Sequence, residues 1–327
     1  MAFKGMGFLV LSFCYILFSP KIASAATFDV TSYGAKGDGS TDDSKADLCG
    51  DDSADPTLVI PSGMTFLISP LVFNGSSCQS PNVNIKALHF HKCPGLRLKG
   101  TTHINSPFLH ISIIGCQDVD IGNLQITAPE NSPNTDGIDI GASSHINIHD
   151  SNIQTGDDCV AINGGVVDVN VTNVLCGPGH GISIGSLGEK EGHDTVEQVR
   201  VQNCNITGTR NGLRIKTVPN GTGYARGIIF QDINLINVRN PIIIDQYYCN
   251  SLENDPSAEA VQVSDVTYTN IHGSSETKQA IIFNCSEKYK CTNIMTNNVH
   301  ITGGDDLAYC RNAQGEFIDT TPTVSCD

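Results

Sequence analysis

The sequence contains no tryptophan, and only 6% of its 327 residues are aromatic. Basic residues are scarce too. Nineteen Lys and Arg stand against 34 Asp and Glu, a formal net charge of −15, and they form no block. A nucleic-acid partner is therefore not expected, because phosphate contacts need clustered cations. Past the N-terminal leader no apolar run approaches the roughly 20 residues of a membrane helix, so no membrane partner is expected either. There is no glycine-rich phosphate loop, no nucleophile elbow, and no second ligand pair to make a zinc site of His89, His91 and Cys93. Charged residues make up only 16% against 39% hydrophobic, which excludes a disordered polyelectrolyte.

What is present begins with a targeting signature. Lys4 precedes an apolar run from Gly7 to Phe18, and Ala23, Ser24 and Ala25 form a small-residue cleavage pattern. Residues 1–25 read as a signal peptide and 26–327 as the secreted domain. The leader carries one of the 13 cysteines, leaving an even number, which suits disulfides in an oxidising compartment. Asn74, Asn170, Asn205, Asn220 and Asn284 begin glycosylation sequons, compatible with that route.

From about residue 117 short apolar triplets recur, among them Val119-Asp120-Ile121, Ile146-Asn147-Ile148, Val169-Asn170-Val171, Val199-Arg200-Val201 and Val266-Thr267-Tyr268. The polar residue two places on is Asn123, Asp150, Asn173, Asn203, Asp232 or Asn270, at spacings of 27, 23, 30, 29 and 38. Repetition at this period, rich in Val, Ile and Thr and without a 3.6-residue apolar pattern, predicts an all-β solenoid. A parallel β-helix accounts for it, each coil pairing with the coils above and below. A β-sandwich leaves the coil-length period unexplained. The recurrent Asn read as structural, with buried amides bonding along the stack.

Four motifs stand apart from the repeat: Asn134-Thr135-Asp136-Gly137, Gly156-Asp157-Asp158-Cys159, Gly179-His180-Gly181 and Arg214-Ile215-Lys216. Asp136 to Asp158 is 22 residues and Asp158 to His180 another 22, one coil each. Stacking should gather these side chains in one groove within roughly 10 Å. Adjacent strand residues face opposite ways, so Asp157 and Asp158 share a cleft only if the backbone kinks, as Gly156 allows. Crowded carboxylates cannot all ionise, so one keeps a proton as a general acid while others activate water. Inverting hydrolysis of a glycosidic bond needs that division. Arg214 and Lys216 alternate with Ile215 and emerge together, suited to an acidic sugar. Singly, an Asp pair is ordinarily a solvated turn, a Gly-flanked His a loop residue and Arg-x-Lys a solvated face; their common phase favours chemistry. Asp51, Asp52 and Asp55, and the pair Asp305 and Asp306, lack the ligand spacing of a calcium loop and read as structural.

At these residues the chain resembles the plant polygalacturonases of the pectin-hydrolysing glycoside hydrolase family. The resemblance runs through Ser132 to Gly137, Gly156 to Cys159, Cys176 to Gly181 and Arg214 to Thr217, and extends from Phe28-Asp29-Val30 to the C-terminal cysteines. It implies a right-handed, single-stranded parallel β-helix that hydrolyses α-1,4 bonds of polygalacturonate with inversion, without metal or organic cofactor. By motif, Asp157 is the general acid, Asp136 and Asp158 position and deprotonate water, and Asn134 and His180 support them. Arg214, Lys216 and, less securely because of its neighbour Tyr247, Tyr248 hold substrate. Implied disulfides are Cys159 with Cys176, Cys285 with Cys291, and Cys310 with Cys326. A monomer in the cell wall is expected. The phrase from Cys176 to Gly181 resembles pollen-type, exo-acting members. Relatives carry a helical stretch after Asp43 and a tryptophan-bearing block near Ile85–Ala87 that are missing here. A catalytically silent pectin-binding protein is the alternative.

Overall fold

The computed structural model describes residues 27–36, 38–42, 57–59, 65–67, 88–248, 259–303, 305 and 307–327. The leader, Asp51, Asp52, Asp55, Asn74, Asp306 and both places where blocks are missing lie outside these. The chain divides into two compact units, Met1–Asn84 and Ile85–Asp327. In the first, strand Thr27–Asp29 pairs in parallel with Thr57–Val59, and Asp38–Asp42 with Thr65–Leu67.

The second unit is the expected right-handed parallel β-helix. All its strand pairings are parallel, in a twelve-stranded and a nine-stranded sheet among the described residues. The nine-stranded sheet climbs through Leu88–His91, Ile111–Ile114, Ile138–Gly141, Val160–Ile162, Ile182–Leu187, Asn211–Thr217, Asn240–Asp245, Gln279–Asn284 and Leu307–Arg311. Two-residue alternation sends every second side chain inward. Two stacked columns result: Ile138, Val160, Ile182, Leu213, Ile242 and Ile281, then Ile140, Ile162, Ile184, Ile215, Ile244 and Phe283. All are fully buried. Each contributes roughly 1.5–3 kcal/mol through burial, and the shape of the columns fixes the register of successive coils. The outward column between them is Ser112, Asp139, Ala161, Ser183 and Arg214.

The recurrent Asn and Asp positions do form a ladder, but at a corner near the surface rather than in the interior. Asn123, Asp150, Asn173, Asn203, Asp232, Asn270 and Asn298 all adopt φ between 49° and 55°. That left-handed conformation suits Asn and Asp, whose short side chains bond locally. Asn173 donates to Asp150 at 2.9 Å, Asn270 to Asp232 at 2.8 Å and Asn298 to Asn270 at 2.9 Å. The irregular spacing is loop length; the corner itself is constant.

The three expected disulfides are all present, Cys159–Cys176, Cys285–Cys291 and Cys310–Cys326. The described residues contain no helix long and apolar enough to cross a membrane.

Candidate active site

Asp136, Asp158 and His180 each stand just before a strand of the nine-stranded sheet, on consecutive coils. Backbone bonds lock that stacking: Gly137 donates to the Asp158 carbonyl at 2.9 Å, and His180 to the Asp157 carbonyl at 2.7 Å. The paired aspartates share a cleft because the chain bends at Gly156 and Asp157 before entering strand Val160–Ile162. Gly156 serves by close approach: a Cβ there would collide with the Ser132 carbonyl, while its N–H is held by Thr135 Oγ1 at 3.0 Å. His180 needs glycine on both sides, with Gly179 at φ 148° and Gly181 at φ 88°. A Cβ on Gly179 would stand 2.7 Å from the Asp157 carbonyl.

Asp158 lies at the centre of a buried ionic cluster and is 1% exposed. Its Oδ1 accepts from Arg214 Nη2 at 2.6 Å and Ser183 Oγ at 2.8 Å, and its Oδ2 from Lys216 Nζ at 3.0 Å. Arg214 Nε also donates to Ser183 Oγ at 2.9 Å. Both cations leave the strand on one face, as alternation predicts, with Ile215 inward. They are not free heads in solvent, however: Arg214 is 6% and Lys216 8% exposed. The Tyr248 ring lies over them, 5.6 Å from Arg214 Cζ and 5.1 Å from Lys216 Nζ, within cation–π range. Tyr248, not Tyr247, thus faces the cations. The Tyr247 hydroxyl is buried without a protein partner.

Asp157 faces the other way within the cleft and meets His180 Nδ1 at 2.8 Å. Burial draws the Asp157 carboxyl upward, but the His180 hydrogen bond and charge outweigh it and hold it below its ordinary range. Asp136 is the opposite case. Burial, then the facing charges of Asp139, Asp157 and Asp158, push it up to about 8. Asp136 therefore keeps its proton at pH values where an ordinary carboxyl has lost it. Asn134, two residues earlier, is exposed at φ 55°.

Sequence reasoning missed Asp139 and Ser183. Each lies three residues after a recognised side chain, on the outward parity of its strand, and parity was the available signal. Burial and then the charge of Asp158 push the Asp139 carboxyl up to about 6. Its Oδ1 is buried with no protein donor.

Ligand atoms of Asp157, Asp158 and His180 lie within 4.8 Å of one another, a spacing a metal ion could use. The donor chemistry argues against one, since Arg214, Lys216 and Ser183 already occupy the Asp158 oxygens. The arrangement is one for moving protons beside an anion.

Residues 71–326 match the family described as glycosyl hydrolases family 28. A protein of Arabidopsis thaliana named "Probable polygalacturonase" is 40% identical over 95% of this chain and 83% of its own length. The exopolygalacturonase of Oenothera organensis is 38% identical over 73% of this chain and 67% of its own. The chain spans about half the length of several other plant polygalacturonases that it matches. Among solved structures, the polygalacturonase of Erwinia carotovora ssp. carotovora superposes with a TM-score of 0.58 at 27% identity, over 73% of this chain and 59% of that one.

Proposed function

This chain belongs to glycosyl hydrolases family 28, and from that premise we propose that it is secreted and cleaves the α-1,4-galacturonosyl bonds of de-esterified pectin with inversion. The observation that carries the reading is one trough in which Asp136, Asp157 and Asp158 stand beside Arg214, Lys216 and Tyr248. Acid–base groups with an anion-binding end fit hydrolysis of an acidic polysaccharide.

In this reading Asp157 protonates the leaving glycosidic oxygen, while water attacks the anomeric carbon from the opposite face. The 2.8 Å hydrogen bond lets His180 supply the Asp157 proton. Asp158 orients the water rather than taking its proton, because three donors occupy its oxygens. Asp136, which pairs with no cation among the described residues, takes that proton. Arg214 has donors beyond the two used on Asp158 and Ser183, and with Lys216 it binds a galacturonate carboxylate against Tyr248. Asn134, exposed two residues before Asp136, is assigned a supporting contact to the substrate in this reading.

Exo-action is the mode we propose, supported by the Cys176–Gly181 phrase and by similarity to an exo-acting relative. The test is reducing-sugar release from polygalacturonate, with products sized on oligogalacturonides. Monomer release from one end is expected; a ladder of oligomers overturns the exo mode. A folded protein that binds the polymer without turnover, in wild type and Asp157→Asn alike, overturns hydrolysis in favour of a pectin-binding protein.

A further inference from the structure

We propose that Asp139 acts through Asp136: the two carboxyls share a single proton, and as the attacking water gives its proton to Asp136 the shared one passes to Asp139. The inference rests on the hydrolytic reading above and names the group that finally stores the water's proton.

Three observations carry it. Asp139 lies between Ile138 and Ile140, both fully buried, so alternation turns its carboxyl out into the trough, on the same coil as Asp136. Its column neighbours offer it little. Ala161 lies on the next coil with no side-chain donor, and Ser183 beyond it is committed to Asp158. Asp139 Oδ1 is buried and meets no protein donor, while the carboxyl stands within hydrogen-bonding reach of Asp136. Two carboxyl groups can bond only with a proton between them, and two charges buried side by side are costly, so a shared proton accounts for the contact.

The charged groups facing the pair are Asp157, Asp158 and Lys216. On the coil below, Ser112 lies under Asp139, with His89 beneath it. His110 is spent on the Asp136 backbone carbonyl, at 3.1 Å from its Nδ1. Among the described carboxyls of the trough, Asp157 is bonded to His180 and Asp158 to Arg214 and Lys216, which leaves Asp136 and Asp139 to share a proton. Asp139 is pushed up to about 6 and Asp136 up to about 8, so the two carboxyls together keep a proton at pH values where ordinary carboxyls have lost theirs.

The balance closes over one turnover. The water O–H breaks as its oxygen bonds to the anomeric carbon, and its proton reaches Asp136. The Asp136 proton passes to Asp139, and the glycosidic oxygen leaves with the Asp157 proton. One proton then returns from the pair to solvent, and one taken from solvent through His180 restores Asp157. Asp139 is thus a positioning residue, and it makes a carboxyl that already holds a proton competent as a base.

The test is the pH profile of Asp139→Asn on polygalacturonate. Wild-type kcat should fall as pH drops through about 6, where the pair gains its second proton. In the variant Asp136 must itself be deprotonated to act as base, and burial with the charges of Asp157 and Asp158 still raises it, so the acid limb should move up from about 6, with KM unchanged within about threefold. An acid limb superposable on wild type overturns the proposal, even if kcat or stability falls. An infrared carboxyl titration of the substrate-free protein is the second readout and needs no turnover. A protonated carboxyl band persisting to pH about 8 in wild type, and lost at lower pH in Asp139→Asn or its reciprocal Asp136→Asn, supports the pair; identical titrations overturn it. Absence of wild-type turnover would refute the hydrolytic reading and leave the shared proton to this second measurement.

Discussion

Arg214 and Asp158, 56 residues apart in sequence, meet at 2.6 Å with the carboxylate 1% exposed. The contact spans two coils and ties the cationic end of the trough to the carboxylates. A charge so buried is tolerated because Arg214, Lys216 and Ser183 together replace its hydration.

Arg214→Ala should therefore destabilise the fold as well as disable the site. Removing one partner of a buried pair costs about 3–5 kcal/mol, because the remaining charge has lost its compensation. Urea unfolding should show that loss, and Asp158→Asn in the same chain should restore part of it. A double-variant loss equal to the sum of the two single losses would mean that the pair is not energetically coupled.

His180→Ala removes the ring that meets Asp157 at 2.8 Å. If His180 supplies the acid proton, kcat on polygalacturonate should fall by about 10²-fold or more, with KM changed only a few-fold. A KM effect with unchanged kcat would make His180 a substrate contact instead.

The elevated Asp136 also predicts how stability depends on pH. Its carboxyl sits near 8 in the folded protein against an ordinary 3.8, so across that interval the native state holds a proton that the unfolded chain has released. The stabilisation is fully present below pH 3.8 and is lost as pH rises through about 8. Each such group contributes a slope of at most about 1.4 kcal/mol per pH unit. Urea unfolding at pH 5 to 8 should show a shallower decline in Asp136→Asn than in wild type. Parallel curves would place the Asp136 proton elsewhere.

The Cys159–Cys176 bridge closes a loop of sequence separation 17 that holds the strand immediately after Asp158. Replacing both cysteines with serine should cost about 2–4 kcal/mol by the loop-entropy argument. Activity should fall more than the unfolded fraction explains, because Asp157 and Asp158 lose their anchor. Full activity in the folded variant would make the bridge purely a stabiliser.

Chelation makes a sharp negative test. With Arg214 and Lys216 on Asp158 no divalent ion is needed there, so excess EDTA should leave sugar release unchanged. Loss of activity restored by calcium would assign the Asp157–Asp158–His180 cluster to a metal.

In a β-helix a sequence interval is also a spatial offset, because each coil is locked in register to the next by its apolar columns. That is why the 22-residue steps from Asp136 to Asp158 to His180 were legible, and why alternation alone put Arg214 and Lys216 on one face. The same logic read the repeat, whose corner positions are set by the backbone of Asn and Asp. What the string could not carry was the environment between coils. Whether Asp158 is saturated, whether Tyr247 or Tyr248 faces the cations, and which carboxyl holds a proton depend on desolvation and on neighbours one coil away. Asp139 looked like one more polar residue in an alternating strand. Only the folded trough, by burying that carboxyl and bringing the charge of Asp158 to bear on it, gives it its altered proton affinity.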